Sequence, residues 1–297
     1  MKHCAGILLL WLLTTPAWAT VYTLTVAGLG GNAHYEQRFF SEGEQVHSAI
    51  SEGAQGSFLA GLGATRETVL AELERWAGVM SDQDAALIVF IGHGSVGRDE
   101  YRFNLAGPDI TGTEIVQALD ALPAKRQLLV NTTSASGALL EAVSEKPGRV
   151  VITSTKNGRE LQATRFSTFF AKALSTPSAD LDKDQRISVA EAFEFADAAV
   201  ADYFRGEGLL ATEHPRQVGA DPKAMILARL SESGVANGES GVDPELLARR
   251  QSLNDQIAAL RAQRDQMDQA EYLSQLQTLL VDLSRVSEAI ESGGNLP

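Results

Sequence analysis

Two short stretches carry residue types that could do chemistry. Ala85–Phe90 runs apolar and breaks into Ile91-Gly92-His93-Gly94-Ser95. Gln127–Asn131 does the same and breaks into Thr132-Thr133-Ser134-Ala135-Ser136-Gly137. Each has the pattern of a buried parallel strand that delivers a side chain to a site at its carboxyl end. A histidine between glycines and a serine among small residues are the parts of a base and a nucleophile. The chemistry would be acyl transfer. Ser134 would attack a carbonyl, His93 would take and return the proton, and backbone N–H groups near Ser134 and Gly94 would hold the oxyanion. A serine hydroxyl has essentially no ionised fraction near neutral pH, so it depends on a well-oriented base, usually a histidine held by a buried carboxylate. No acidic residue can be assigned to that place from the sequence; Asp99 and Glu100 are the acids that follow His93 most closely.

Those two strands need a sheet and helices to hold them. Val21–Val26 alternates β-branched and apolar residues and ends in Ala27-Gly28-Leu29-Gly30-Gly31, a first strand with a tight turn after it. No Gly-Lys-Ser/Thr follows and the dinucleotide spacing is missing, so the glycines do not read as a phosphate loop. Tyr35–Ile50 reads as a helix and Ser57–Ala60 as a short strand. Thr65 opens a helix with Val69, Leu70, Leu73, Trp76 and Ala77 on its buried stripe, and with Thr68 forms half a capping box. Asp99–Asn104 reads as a small hairpin arm. Thr111 and Glu114 form a capping box for a helix that Pro123 ends. Ala138–Val143 is a short helix and Arg149–Thr155 a strand; Thr164–Leu174 and Val189–Phe204 are helices. Strands alternating with amphipathic helices predict an α/β fold with a mostly parallel, helix-flanked sheet.

Asp180–Glu191 (DLDKDQRISVAE) places Asp180, Asp182, Asp184, Ser188 and Glu191 at positions one, three, five, nine and twelve of an EF-hand loop, with apolar Ile187 at eight. That donor set makes Ca²⁺ the one cofactor to expect; none is required by the rest of the chain. Position six is Gln185 where such loops have glycine, and it needs a φ > 0 turn. The competing reading is an acidic helix start with Ser188 and Glu191 as a capping box. His214, beside Glu213, reads as a surface contact rather than a catalytic pair. His34 and His47 have no partner in sequence.

The single cysteine, Cys4, lies in a segment with a basic start, an apolar run at Ala5–Leu13 and a small-x-small site at Ala17-Trp18-Ala19. This predicts a secretory signal peptide over residues 1–19 and a periplasmic address. The apolar run follows Cys4 instead of preceding it, against a lipoprotein reading. Cleavage would leave a body with no thiol, hence no disulfide, thiolate metal site or cysteine nucleophile. No later segment approaches about 18 uninterrupted apolar residues, so no membrane span is expected. A formal charge of -13 argues against nucleic acid and anionic membrane as partners. The α/β body is expected over 20–230, a flexible glycine- and serine-rich linker over 231–242, and a helical hairpin or coiled coil over 243–292. Leu246, Leu253, Ile257, Leu260 and Met267 make one apolar seam; Leu273, Leu276, Leu280, Leu283, Val286 and Ile290 make the second. So short a hairpin is expected to pack on the body or to associate with a copy of itself or another protein.

His93-Gly94, followed one strand later by Thr133-Ser134-Ala135-Ser136-Gly137, resembles the two site segments of the legumain/caspase-like cysteine peptidases. Ser134 stands where that family has its nucleophilic cysteine. The resemblance covers roughly Val21–Ala211 as a fold, but its specific motifs are only the two short segments, and the helical tail is not part of it. It implies a caspase-like sheet, His93 and Ser134 as the site pair, and a peptide or protein as partner. It also implies that Thr153, Ser154 and Thr155, at the end of the next strand, help wall a substrate pocket. The hydroxyl in place of a thiol leaves three readings open. The chain is a degenerate peptidase that binds a peptide without cutting, or a peptidase working through a Ser134–His93 dyad, or a structural adaptor acting through its helical tail.

Overall fold

The computed structural model describes residues 19–97, 100–143, 146–230, 246, 249, 252–253, 256–257, 260 and 267–291. The expected signal segment up to residue 18, the linker over 231–242, Asp99 and most of the first hairpin arm lie outside the described residues. The chain divides into two compact units, one ending at Leu230 and one from Ser231.

The elements of the first unit run β1 (Val21–Ala27), α1 (Ala33–Ile50), β2 (Gln55–Ala60), α2 (Arg66–Val79) and β3 (Ala85–Ile91). A small antiparallel sheet follows, of β4 (Gly94–Gly97), β5 (Glu100–Phe103) and β6 (Ile110–Thr111). Then come α3 (Gly112–Ala121), β7 (Arg126–Asn131), α4 (Leu140–Val143), β8 (Arg149–Thr153) and α5 (Phe166–Ala173). The unit closes with β9 (Arg186–Ser188), α6 (Val189–Gly206), β10 (Arg216–Gly219) and β11 (Ile226–Arg229). The main sheet has the order β10-β8-β7-β3-β1-β2. All its neighbours are parallel except β10, which runs antiparallel to β8. This is the expected α/β architecture, a mostly parallel six-stranded sheet flanked by helices and consistent with a caspase-like fold.

The apolar runs are continuous because both faces of the sheet are covered. Leu87, Val89, Ile91, Leu128, Val130, Val150 and Ile152 pack on one side against α1, α5 and α6. Leu24, Val26, Ile88, Phe90, Leu129 and Val151 pack on the other, against Val69, Leu73 and Trp76 of α2 and Ile115 and Leu119 of α3. The helix starts follow their caps. Thr111 and Glu114 bond reciprocally at α3, and Thr65 finds a full partner in Thr68 at α2, where a half box was expected.

The short strands β6, β9, β10 and β11 were not read from the sequence. β10 and β11 are four residues each and half exposed, and β9 lies inside the acidic loop, where it pairs with β11. The small hairpin begins at Gly94, immediately after His93, not at Asp99.

In the second unit, α7 (Gln269–Glu291) starts where Asp268 caps the Glu271 N–H. Leu246, Leu253, Ile257 and Leu260 of the first seam are buried, as is Val286 of the second, whereas Leu273 is 52% exposed. Among the described residues, no helix is long and apolar enough to cross a membrane.

Candidate functional site at the carboxyl ends of β3 and β7

The sheet places the two expected segments side by side. β3 and β7 are parallel neighbours with Phe90 opposite Asn131, and the Thr132 N–H and hydroxyl both donate to the Phe90 carbonyl at 2.9 Å. The two chains then come close. A Cβ at Gly94 would lie 2.4 Å from the Ser134 carbonyl oxygen and 2.6 Å from Thr133 Oγ1, so only glycine fits there. The site lies at the carboxyl edge beside the point where the strand order reverses, β1 having β2 on one side and β3 on the other. In open α/β sheets that crevice is where ligands bind.

His93 follows Gly92 at the end of β3. Its ring meets Tyr35 and Phe39 edge-on, with centroids 4.8 and 5.0 Å away. Burial pushes its pKa below the ordinary histidine value; a backbone hydrogen bond to Gly30 opposes this, and the nearby Arg38 cation adds to it. Burial therefore favours the neutral form of the His93 imidazole. Glu100 is not its partner: it accepts from the Thr113 N–H.

Ser134 is 3% exposed. No hydrogen bond joins it to His93, and among the described residues its N–H and its hydroxyl carry no hydrogen bond. The Gly94 N–H is free of the β4–β5 ladder as well. Asn104 donates to the His93 carbonyl at 3.0 Å, which makes His93–Asn104 a bonded pair and Gly94–Phe103 the next, non-bonded one. Ala135 stands in the left-handed region at φ 56, an arrangement worth of order 1–3 kcal/mol of strain for a non-glycine residue. The loop is held by buried polar partners. Tyr101 Oη bonds Thr133 Oγ1 at 2.6 Å and Asn131 Oδ1 at 3.2 Å, and burial pushes its pKa well above the ordinary phenol value.

Thr153, Ser154 and Thr155 are fully buried and face this loop. Ser154 Oγ donates to the Thr133 carbonyl at 2.8 Å, the Gly137 N–H donates to Thr155 Oγ1 at 2.8 Å, and Ser136 Oγ lies 3.2 Å from both side chains. Thr153 Oγ1 donates to the Thr155 carbonyl. These hydroxyls, expected to wall a pocket, are engaged in supporting the Ser134 backbone.

An open cleft of about 540 Å³ is lined by Glu160, whose carbonyl accepts from the Ala135 N–H, and by Lys156, Leu161, Thr212 and His214 among others. Here the sequence reading missed a pair. His214 bonds through Nδ1 to Glu160, 54 positions away, not to its neighbour Glu213. Burial would raise the Glu160 pKa, but the Lys156 N–H and the His214 ring and N–H outweigh it and hold the carboxyl below its ordinary value. Glu213 turns inward instead. It accepts from the Arg165 and Phe166 N–H groups at the start of α5, and its desolvation pushes its pKa up to about 7.

The acidic loop brings carboxylate oxygens of Asp180, Asp182 and Asp184 within 4.8 Å of one another. Gln185 takes φ 64, the left-handed turn that position six demands. Glu191 closes the loop on the Leu181 N–H and forms a full capping box with Ser188, the helix-start arrangement expected for these two residues. The donor set fits a hard oxygen-seeking cation.

Neither a protein-family model nor a curated protein matches the chain. Among solved structures, the crystal structure of protein GSU0716 from Geobacter sulfurreducens is similar at 12% identity and a TM-score of 0.48, covering 72% of this chain and 99% of that one.

Proposed function

We propose that this chain is an exported peptide- or protein-binding protein on a peptidase-like scaffold, in which Ser134 and His93 recognise a ligand and do not cleave it. One observation carries the reading: the carboxylate that would orient a base for a serine is on His214, while His93 packs edge-on against Tyr35 and Phe39 and makes no bond to Ser134. A serine nucleophile without a bonded base is inert at neutral pH. The unbonded N–H groups of Ser134 and Gly94, with the Ser134 hydroxyl, suit a carbonyl or carboxylate oxygen of a peptide.

Those two N–H groups also favour the alternative, acyl transfer with His93 as base once substrate draws the pair together. Intact-mass analysis with a fluorophosphonate probe separates the two. The binding reading expects no adduct on the folded wild type and peptide affinity that survives Ser134→Ala. An adduct on wild type that Ser134→Ala abolishes overturns it in favour of a serine peptidase. A structural Ca²⁺ held by Asp180, Asp182, Asp184, Ser188 and Glu191 belongs to the same proposal, supported by the left-handed Gln185.

A further inference from the structure

Ser134 has no side-chain restraint, yet the residue after it stands in a strained conformation, so something must hold the turn. The Ala135 N–H donates to the Glu160 carbonyl at 2.8 Å. Glu160 belongs to the segment between β8 and α5, and its carboxylate is in turn gripped from the segment between α6 and β10. The His214 N–H donates to it at 3.1 Å and the His214 Nδ1 at 2.5 Å, while Lys156 supplies its own N–H at 2.9 Å. One residue thus has its carbonyl on the Ser134 turn and its carboxylate on the segment that carries His214.

We infer that Glu160 and His214 form a brace that positions the Ser134 backbone. Both are positioning residues: neither bonds to Ser134, and they act through the Ala135 N–H. The segment carrying His214 is itself fixed, because Glu213 on its other side holds the start of α5. Without His214, Glu160 keeps only Lys156, through its N–H and its ammonium 3.4 Å away, and the Glu160 carbonyl is freer to leave the Ala135 N–H. A buried donor is then unpaired, and the left-handed turn relaxes. The Ser134 N–H and hydroxyl would lose their fixed place. What that place serves rests on the binding reading above; the brace itself does not.

Amide hydrogen exchange on the full chain tests this. His214→Ala should speed exchange of the Ala135 amide by about tenfold or more, with the central amides of β3 and β7 unchanged. His214→Asn, whose amide nitrogen replaces Nδ1 as donor, should restore most of the protection. Glu160→Gln, which keeps the main-chain carbonyl but loses the charge, should fall between, and it carries the test if His214→Ala does not fold. Unchanged Ala135 exchange in His214→Ala and Glu160→Gln overturns the brace, and so does a rise spread evenly over the body. A wild type that binds no peptide, with Ala135 exchange responding as stated, would remove the binding reading and leave the brace standing.

Discussion

Gly94 and Glu213 show how single residues set the terms of this site. At Gly94 the chain passes so close to the Ser134 carbonyl that a methyl group cannot enter without moving one of them. Gly94→Ala is expected to destabilise the fold by about 1–3 kcal/mol, measured by urea unfolding, and to weaken any ligand that uses the Ser134 turn. Glu213 is a buried acid whose folded pKa of about 7 exceeds its ordinary value. Such a group adds stability when protonated, and this is fully present below about pH 4.5 and lost as pH rises through about 7. Ionising it takes up to about 3 kcal/mol of that contribution. The difference in unfolding free energy between pH 5 and pH 8 should therefore shrink in Glu213→Gln; an equal difference in both proteins would refute this. The sequence showed His93 and Ser134 because each ends an apolar run. It did not show Glu160 with His214, because that pair joins two loops far apart in the chain. Glu213 is the chain neighbour, but successive residues on an extended segment point opposite ways, so adjacency pointed to the wrong acid.

At the scale of elements, legibility followed burial. β1, β3, β7 and β8 are covered on both faces and read as apolar runs, and the capped helices announced themselves by Thr-x-x-Glu and Ser-x-x-Glu. β9, β10 and β11 are three or four residues long, two of them half exposed, and their pairing comes from distant partners rather than local pattern. The acidic loop has its own consequence. Gln185 and Lys183 both take positive φ, so the turn is formed by the protein chain itself. Millimolar Ca²⁺ is expected to raise the melting temperature by several degrees, and Asp182→Asn to reduce that rise. No shift on adding Ca²⁺ would leave the loop a helix cap and nothing more.

The whole molecule divides at Leu230 into two compact units, which a truncation can test separately. Removing Asp243–Pro297 should leave peptide affinity at the Ser134 site unchanged, as measured by fluorescence anisotropy. Loss of partner binding in that truncation, with Ser134-site changes silent, would instead make the chain an adaptor that works through its helical tail. The sheet has a further effect on behaviour in solution. β2 ends it, and Gln55–Ala60 carries neither a charge nor a proline, the usual guards of an open edge. Repulsion between molecules of charge -13 opposes the pairing of such edges. That repulsion fades in strong salt and vanishes near pH 4.9. The protein should behave as a charge-stabilised colloid, clear at neutral pH and low ionic strength and turbid as it nears its isoelectric point.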